Sequence, residues 1–180
     1  LPTYPAVPIS QRMSALTDQI TACRLCAPRF VKTKTAHAPR PVAWFSPEAT
    51  IRVVGQAPGV RVHESGLPFN DASGDRLRAW MGVDRETFYD RRTIAITPMA
   101  FCFPGYDAKG GDLPPRPECA TRWRRTLLAR LSSIELTLAV GRYAQVEWID
   151  GGVLGLNLLP LIRSCSHLLV VDAADAGRSP

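Results

Sequence analysis

No apolar run in this chain is long enough to cross a bilayer. The greasiest stretch, VLGLNLLPLI at Val153–Ile162, is ten residues long and holds Asn157, about half of a spanning helix. The amino end also lacks the basic, then apolar, then small-residue build of a secretory signal. It opens at Leu1 rather than Met, so further residues are expected before it. Cysteine is present five times, an odd number that does not make a complete disulfide framework. A reducing, cytoplasmic setting is therefore expected, in which thiols serve as ligands or nucleophiles. Neither an internal repeat nor a low-complexity tract is visible. Disorder is excluded as well, because 46% of the 180 residues are hydrophobic and 21% are charged. That is enough for one compact domain over residues 1–180 and too little for two.

The charge balance is basic. Net charge is +6, from 22 Lys and Arg against 16 Asp and Glu, and 19 of the cations are Arg. This suits a nucleic-acid partner without demanding one, and an Arg excess can also come from a GC-rich genome. A Pro-rich arm over residues 1–9 leads into a helix expected at Ser10–Cys23, where Met13, Leu16 and Ile20 recur at helical spacing. IRVVG at Ile51–Gly55 reads as a buried strand ending in a glycine turn. Ser73 can cap a helix running through Leu77 and Trp80 to Met81, and a short helix is expected over Asp84–Asp90. Further strands are expected at Thr93–Thr97, Glu135–Gly141 and His167–Ala173, and helices at Pro117–Leu131 and Tyr143–Trp148. The loop from Pro104 to Pro117 is rich in Gly and Pro. Strands alternating with helices predict an α/β fold, a mainly parallel four-stranded sheet covered by helices. Sites in such sheets lie at the carboxyl ends of the strands, which here carry GQAPG and TPMAFC.

Cys23 and Cys26 form CRLC, and sixteen residues separate Cys102 from Cys119. A lone C-x2-C can mark zinc, an iron–sulfur cluster, a redox dithiol or coincidence. Redox dithiols usually sit just after a strand, whereas CRLC ends an expected helix. Zinc sites tend to build on two close pairs, and the second pair here is wide. One close pair with two separated cysteines is compatible with four-thiolate ligation of an iron–sulfur cube. Buried thiols without a ligand remain the plainer reading. Cys165 stands outside this set as a buried apolar residue.

Between the cysteine pairs lie GQAPG at Gly55–Gly59 and GLPF at Gly66–Phe69, with six residues between them. This order and spacing resembles the iron–sulfur (family 4) uracil-DNA glycosylases, in which C-x2-C, GE-x-PG, G-x-PF and two further cysteines follow one another. The resemblance covers roughly residues 20–145. It implies a three-layer α/β/α fold, a [4Fe-4S] cluster on Cys23, Cys26, Cys102 and Cys119 (zinc at the same cysteines being the alternative), and a monomer. It further implies hydrolysis of the bond joining uracil to deoxyribose in DNA.

That chemistry needs a flipped base held by stacking and hydrogen bonds, and a way to stabilise the departing uracil anion. The turn Gly55, Gln56, Ala57, Pro58, Gly59 can offer backbone N–H groups to the uracil oxygens and to water, although such a turn also serves simply to leave a strand. Phe69 matches the family's uracil-stacking aromatic. Asn70 and Asp71 can line the same pocket or act only as turn residues. The chain also departs from the family pattern. Gln56 stands where the family has a catalytic Glu, and it cannot ionise to act as a general base. Ala57 stands where other glycosylase branches place the acid. His63 and Glu64 are the nearest ionisable groups, either as catalysts or as solvated loop residues. The family's base-reading Asn aligns with Pro98, leaving Thr97 or the backbone to substitute. The late HPS-type motif is absent, with LPLIRSCSHLLVV near its expected place, so His167 is the remaining candidate in the divergent segment 164–180. Arg122, Arg124, Arg125 and Arg130 could hold phosphates or form a solvated helix face. Phe101 and Phe103 are expected to shield a cluster or pack the core. The sequence thus points to a DNA repair glycosylase acting on uracil or a related damaged base. Its alternatives are a member that binds DNA or a nucleobase without excision and one adapted to a free nucleobase or nucleotide.

Overall fold

The structure is a computed structural model that describes residues 8–144 and, along the backbone, 167–171. The expectations for Cys165, for residues 1–7 of the arm, for residues 145–148, and for the chain beyond Val171 lie outside the described residues.

Four strands run parallel in the order β2-β1-β3-β4: β1 Ile51–Val54, β2 Ile94–Ile96, β3 Leu136–Val140 and β4 His167–Val171. Ile51 pairs with Ile94 on one side and with Leu136 on the other, and Leu136 pairs in turn with His167. The runs IRVV, IAI and LTLAV are nearly continuous in apolar residues because a parallel strand is covered on both faces. Alternation along β2 shows the two coverings. Ile94 and Ile96 pack with Val53, Leu138, Leu77 and Phe88, whereas Ala95 joins a second cluster with Met13, Leu16, Ile20, Trp123 and Leu127. Helices therefore lie on both faces of the sheet.

The helix α1 Ile9–Thr21 buries Met13, Leu16 and Ile20 as one stripe. Each such side chain stabilises the fold by about 1.5–3 kcal/mol when fully buried, and the recurrence at three- and four-residue steps keeps all three on one face. On the same side of the sheet, α6 Pro117–Leu128 starts with proline, whose missing N–H costs nothing there, and buries Trp123 and Leu127. On the opposite face lie α4 Ala72–Met81 and α5 Arg85–Tyr89, which bury Leu77 and Phe88. The cap of α4 is Asp71 rather than the expected Ser73. Asp71 is extended, so its carboxylate reaches back to accept the Gly74 N–H at 3.0 Å, and the Ser73 hydroxyl donates to that same carboxylate. Two short helices, α2 Ala27–Phe30 and α3 Val60–Ser65, have no counterpart among the elements the sequence predicts. One or two turns give no apolar period to read.

Gly74 sits where the first turn of α4 meets the preceding loop. A Cβ there would fall 1.8 Å from the Phe69 carbonyl oxygen. Gly74→Ala must displace that loop, and it is expected to lower stability by about 3 kcal/mol. For a domain of this length that is a fall of about 6–12 °C in Tm. Thermal denaturation checks this, and an unchanged Tm would mean that the Phe69 loop yields without resistance.

Candidate active site

The strands end together at Gly55, Thr97–Pro98 and Gly141. Because β2 and β3 flank β1 on opposite sides, the chain reverses direction across the sheet here, where a crevice opens in parallel α/β folds. The structure has such a cleft, of about 530 Å³. Its floor is the turn Gly55–Gly59, with Ile96 and Pro98 at the end of β2 and Val140–Arg142 at the end of β3. Its walls are Phe69, Asp71, Leu77 and Asp112, with Arg76 and the 59% exposed Trp80 also lining it.

The GQAPG turn keeps its N–H groups available. The Gly55 and Gln56 carbonyls accept from the Met99 and Ala100 N–H groups at 2.9 and 3.3 Å. The N–H groups of Gln56, Ala57 and Gly59 have no acceptor among the described residues. Phe69 stands directly over this turn: a Cβ on Gly55 would lie 3.0 Å from Phe69 Cζ. A side chain at Gly55 would push the edge of the ring back by a few tenths of an ångström.

Phe69 adopts φ +52°, a left-handed conformation that costs a bulky residue about 1–2 kcal/mol. Its surroundings hold it there. The Tyr89 hydroxyl donates to the Pro68 carbonyl at 2.9 Å, and Arg78 Nη1 reaches both the Phe69 carbonyl and the Tyr89 oxygen at 3.3 Å. Burial raises the Tyr89 pKa above the ordinary tyrosine value, against the opposing pull of Arg78 and Arg85, so the hydroxyl stays a donor. Arg78 is itself buried and paired with Asp75. The Phe69 ring also meets Phe88 edge to face at 6.1 Å.

The other candidates are scattered. Gln56 lines the cleft, as do Ala57, Pro58 and Pro98. His63 does not line it. On α3 its neighbour Val62 faces the cleft, while the His63 ring lies 5.1 Å from His37 and 5.9 Å from Phe103. Burial, then His37 and Arg40, hold His63 below its ordinary value, and its Nδ1 has no hydrogen-bond partner among the described residues. This is a neutral packed ring set apart from the cleft lining. Glu64 is exposed, and its carbonyl accepts from Arg40. The Asn70 side chain accepts from Arg85 at 3.0 Å instead of facing the cleft. Thr97 is buried, and its N–H donates to the Val53 carbonyl at 2.9 Å. His167 opens β4 opposite Leu136, at the amino end of the sheet, four residues from the cleft end of that strand pair. Arg122, Arg124, Arg125 and Arg130 also lie away from the cleft, and the arginines that line it are Arg76 and Arg142. Asp112, like Arg76 and Arg142, is a cleft residue that sequence reasoning missed. It lies inside the Gly/Pro-rich loop, where no local pattern marks it.

A second, smaller cavity gathers all four cysteines of the motif. Cys23, Cys26, Cys102 and Cys119 line it together with Ile20, Phe30, Phe101 and Trp123. All four are free thiols. Burial pushes the Cys102 thiol up to about 12 and Cys119 up to about 11, and the neighbouring thiols add to both shifts. The Phe101 N–H donates to Cys119 Sγ at 3.4 Å. Glu118 ties the segment after CRLC to α6, meeting Arg29 at 2.8 Å and Arg116 at 2.9 Å. Among the described residues no three His, Cys, Asp or Glu side chains are drawn together tightly enough to hold one metal ion. No helix among them is long and apolar enough to cross a membrane.

The cleft at the carboxyl ends of a parallel sheet, its glycine turn and the aromatic ring over it agree with an independent comparison. The family model of the Uracil DNA glycosylase superfamily matches residues 42–170, a span that includes the whole glycine turn, Phe69, the strands β1 to β3 and all but the last residue of β4. The chain belongs to the uracil DNA glycosylase superfamily.

Proposed function

We propose that this chain is a DNA repair glycosylase that takes uracil, or a related damaged base, out of the helix and hydrolyses its bond to deoxyribose. The observation that carries this reading is the Phe69 ring held over the Gly55–Gly59 turn, whose Gln56, Ala57 and Gly59 N–H groups are left free among the described residues. A flipped pyrimidine would stack on the ring and direct its oxygens to those N–H groups. As the bond between N1 and C1′ breaks, negative charge moves onto the base, and fixed N–H donors stabilise it without having to reorganise. The cleft volume of about 530 Å³ is ordinary for a small-molecule or nucleotide site. Arg76 and Arg142 at its edge would meet the flanking phosphates.

The reading includes a three-layer α/β/α fold on a four-stranded sheet and a monomer working in a reducing, cytoplasmic setting. It also includes a [4Fe-4S] cluster held by Cys23, Cys26, Cys102 and Cys119. The chemistry of the donor set fits, because four thiols from separate segments line one apolar cavity. When bound, the cluster would supply a structural tie. Zinc at the same four cysteines is the alternative occupant.

A second reading, binding without excision, is favoured by the cleft lining itself. Gln56, Ala57 and Pro98 bring no carboxylate and no side-chain amide at the family's base-reading position. The deciding experiment is strand cleavage of a labelled single-stranded oligonucleotide carrying one deoxyuridine, incubated with anaerobically purified protein and then treated with alkali. Cleavage at the deoxyuridine is expected. Intact strand with bound oligonucleotide would establish the second reading instead.

A further inference from the structure

Resting on that reading, we infer that Asp112 is the carboxylate that activates water in this chain, acting from the loop after β2 in place of the acid missing from the glycine turn. Hydrolysis still needs a base for the water and a negative charge near the developing positive sugar, and neither Gln56 nor Ala57 can supply them. Two carboxylates line the cleft among the described residues, Asp71 and Asp112. Asp71 is committed, since its Oδ1 accepts from Gly74 and Ser73 to cap α4. Asp112 makes no hydrogen bond or ion pair among the described residues. Its Oδ2 lies 3.9 Å from where a Cβ on Gly59 would stand. The carboxylate thus rests against the second glycine of the turn, whose N–H is one of the free donors.

The loop that carries Asp112 is folded back on itself. The Asp107 side chain accepts from the Lys109 and Gly111 N–H groups at 2.8 and 2.9 Å, and the backbone bonds Asp107 N–H to Gly111 O at 2.8 Å and Leu113 N–H to Gly105 O at 2.9 Å set Tyr106 opposite Asp112. A base on such a loop is placed before substrate arrives. Its proton affinity is also favourable: partial burial, then the negative charge of Asp71, raise the Asp112 carboxyl above the ordinary aspartate value. The other charged groups lining the cleft are Arg76 and Arg142. A carboxylate with raised affinity is a stronger base toward water.

The step balances without another reactant. The water oxygen bonds to C1′ as the bond from C1′ to N1 breaks, and that electron pair leaves on the base as an anion spread over N1 and O2. One water proton passes to Asp112 and then to the departed base or to solvent. The products are the free base and an abasic deoxyribose.

The test compares wild type with Asp112→Asn in single-turnover excision from the deoxyuridine oligonucleotide, together with binding and Tm. The substitution keeps shape, and the side chain has no partner to lose, so folding and binding are expected to hold. The excision rate is expected to fall by about 100-fold or more. A variant within threefold of a wild type that excises would overturn the assignment and leave the glycosylase reading standing. A wild type that does not excise would remove both. The pH profile gives a second readout. Wild-type activity should fall on the acid side as Asp112 protonates, and Asp71→Asn, which still caps α4, should move that limb to lower pH by removing a like charge. A limb that stays in place with Asp71→Asn would also count against Asp112.

Discussion

Replacing Phe69 by Ala should reduce excision of deoxyuridine by about 100-fold, with most of the loss in kcat/KM. Stacking a base on an aromatic ring is worth about 1–3 kcal/mol, which converts to between about fivefold and 150-fold in rate. The upper end applies because the ring also shapes the floor of the cleft over Gly55. The substitution does not relieve the local backbone, because alanine at φ +52° is also strained. Phe69→Gly provides the control: it removes the same ring but tolerates that φ, so its stability should exceed that of Phe69→Ala while its activity is equally low. Phe69→Tyr retains a π-face and should keep most of the activity. Excision and oligonucleotide anisotropy measured together separate the two readings of the site. Loss of excision with residual binding supports a stacking wall in a working glycosylase. A Phe69→Ala protein that excises within a few-fold of wild type would mean that the base lies elsewhere.

Much of this cleft could be read from the sequence because its main parts are close along the chain. The run IRVV followed by glycine fixes a buried strand and its turn, and Phe69 follows in a motif of matching spacing. What the sequence could not convey is direction in space. Val62 and His63 are neighbours, yet the rotation of α3 between them turns one toward the cleft and the other toward His37 and Phe103. His167 was attractive because it stands near the place where a catalytic histidine is expected. The parallel register then sets it opposite Leu136, at the wrong end of the sheet. Asp112 fails in the opposite sense: it lies far from Gly59 in sequence and near it in space. Only the closed turn around Asp107 brings it there, and a loop rich in Gly and Pro has no periodicity from which to infer it. The cap of α4 moved for a related reason, since Asp71 and Ser73 are both good cap residues and only the extended backbone of Asp71 decides between them.

Cys102→Ser should abolish the brown colour expected of anaerobically prepared protein and lower its Tm by about 10 °C or more. The reasoning starts from where the four thiols come from. Cys23 follows α1, Cys26 precedes α2, Cys102 lies in the loop after β2, and Cys119 is within α6. A cluster bound by all four would join segments separated by a long stretch of chain, including the whole of β1, α3, α4, α5 and β2. Cross-linking ends that far apart removes about 4 kcal/mol of unfolded-state freedom in the chain-entropy account, or about 8–16 °C in Tm for a domain of this length. Without a cluster, burial holds Cys102 and Cys119 as neutral thiols, at about 12 and about 11, so only apolar packing, the exposed Arg29–Glu118 ion pair and the Phe101 N–H bond to Cys119 would link these segments. Serine keeps the size of the side chain but is a poor ligand for iron, so the substitution removes the tie and leaves the packing nearly intact. Iron and acid-labile sulfide content, visible absorption and Tm should therefore fall together in Cys102→Ser and in Cys119→Ser. Cys165→Ser, outside the set, should retain iron and sulfide. Colourless wild type carrying one zinc would replace the iron assignment, and a Cys102→Ser protein that keeps iron, sulfide and colour would remove Cys102 from the ligand set.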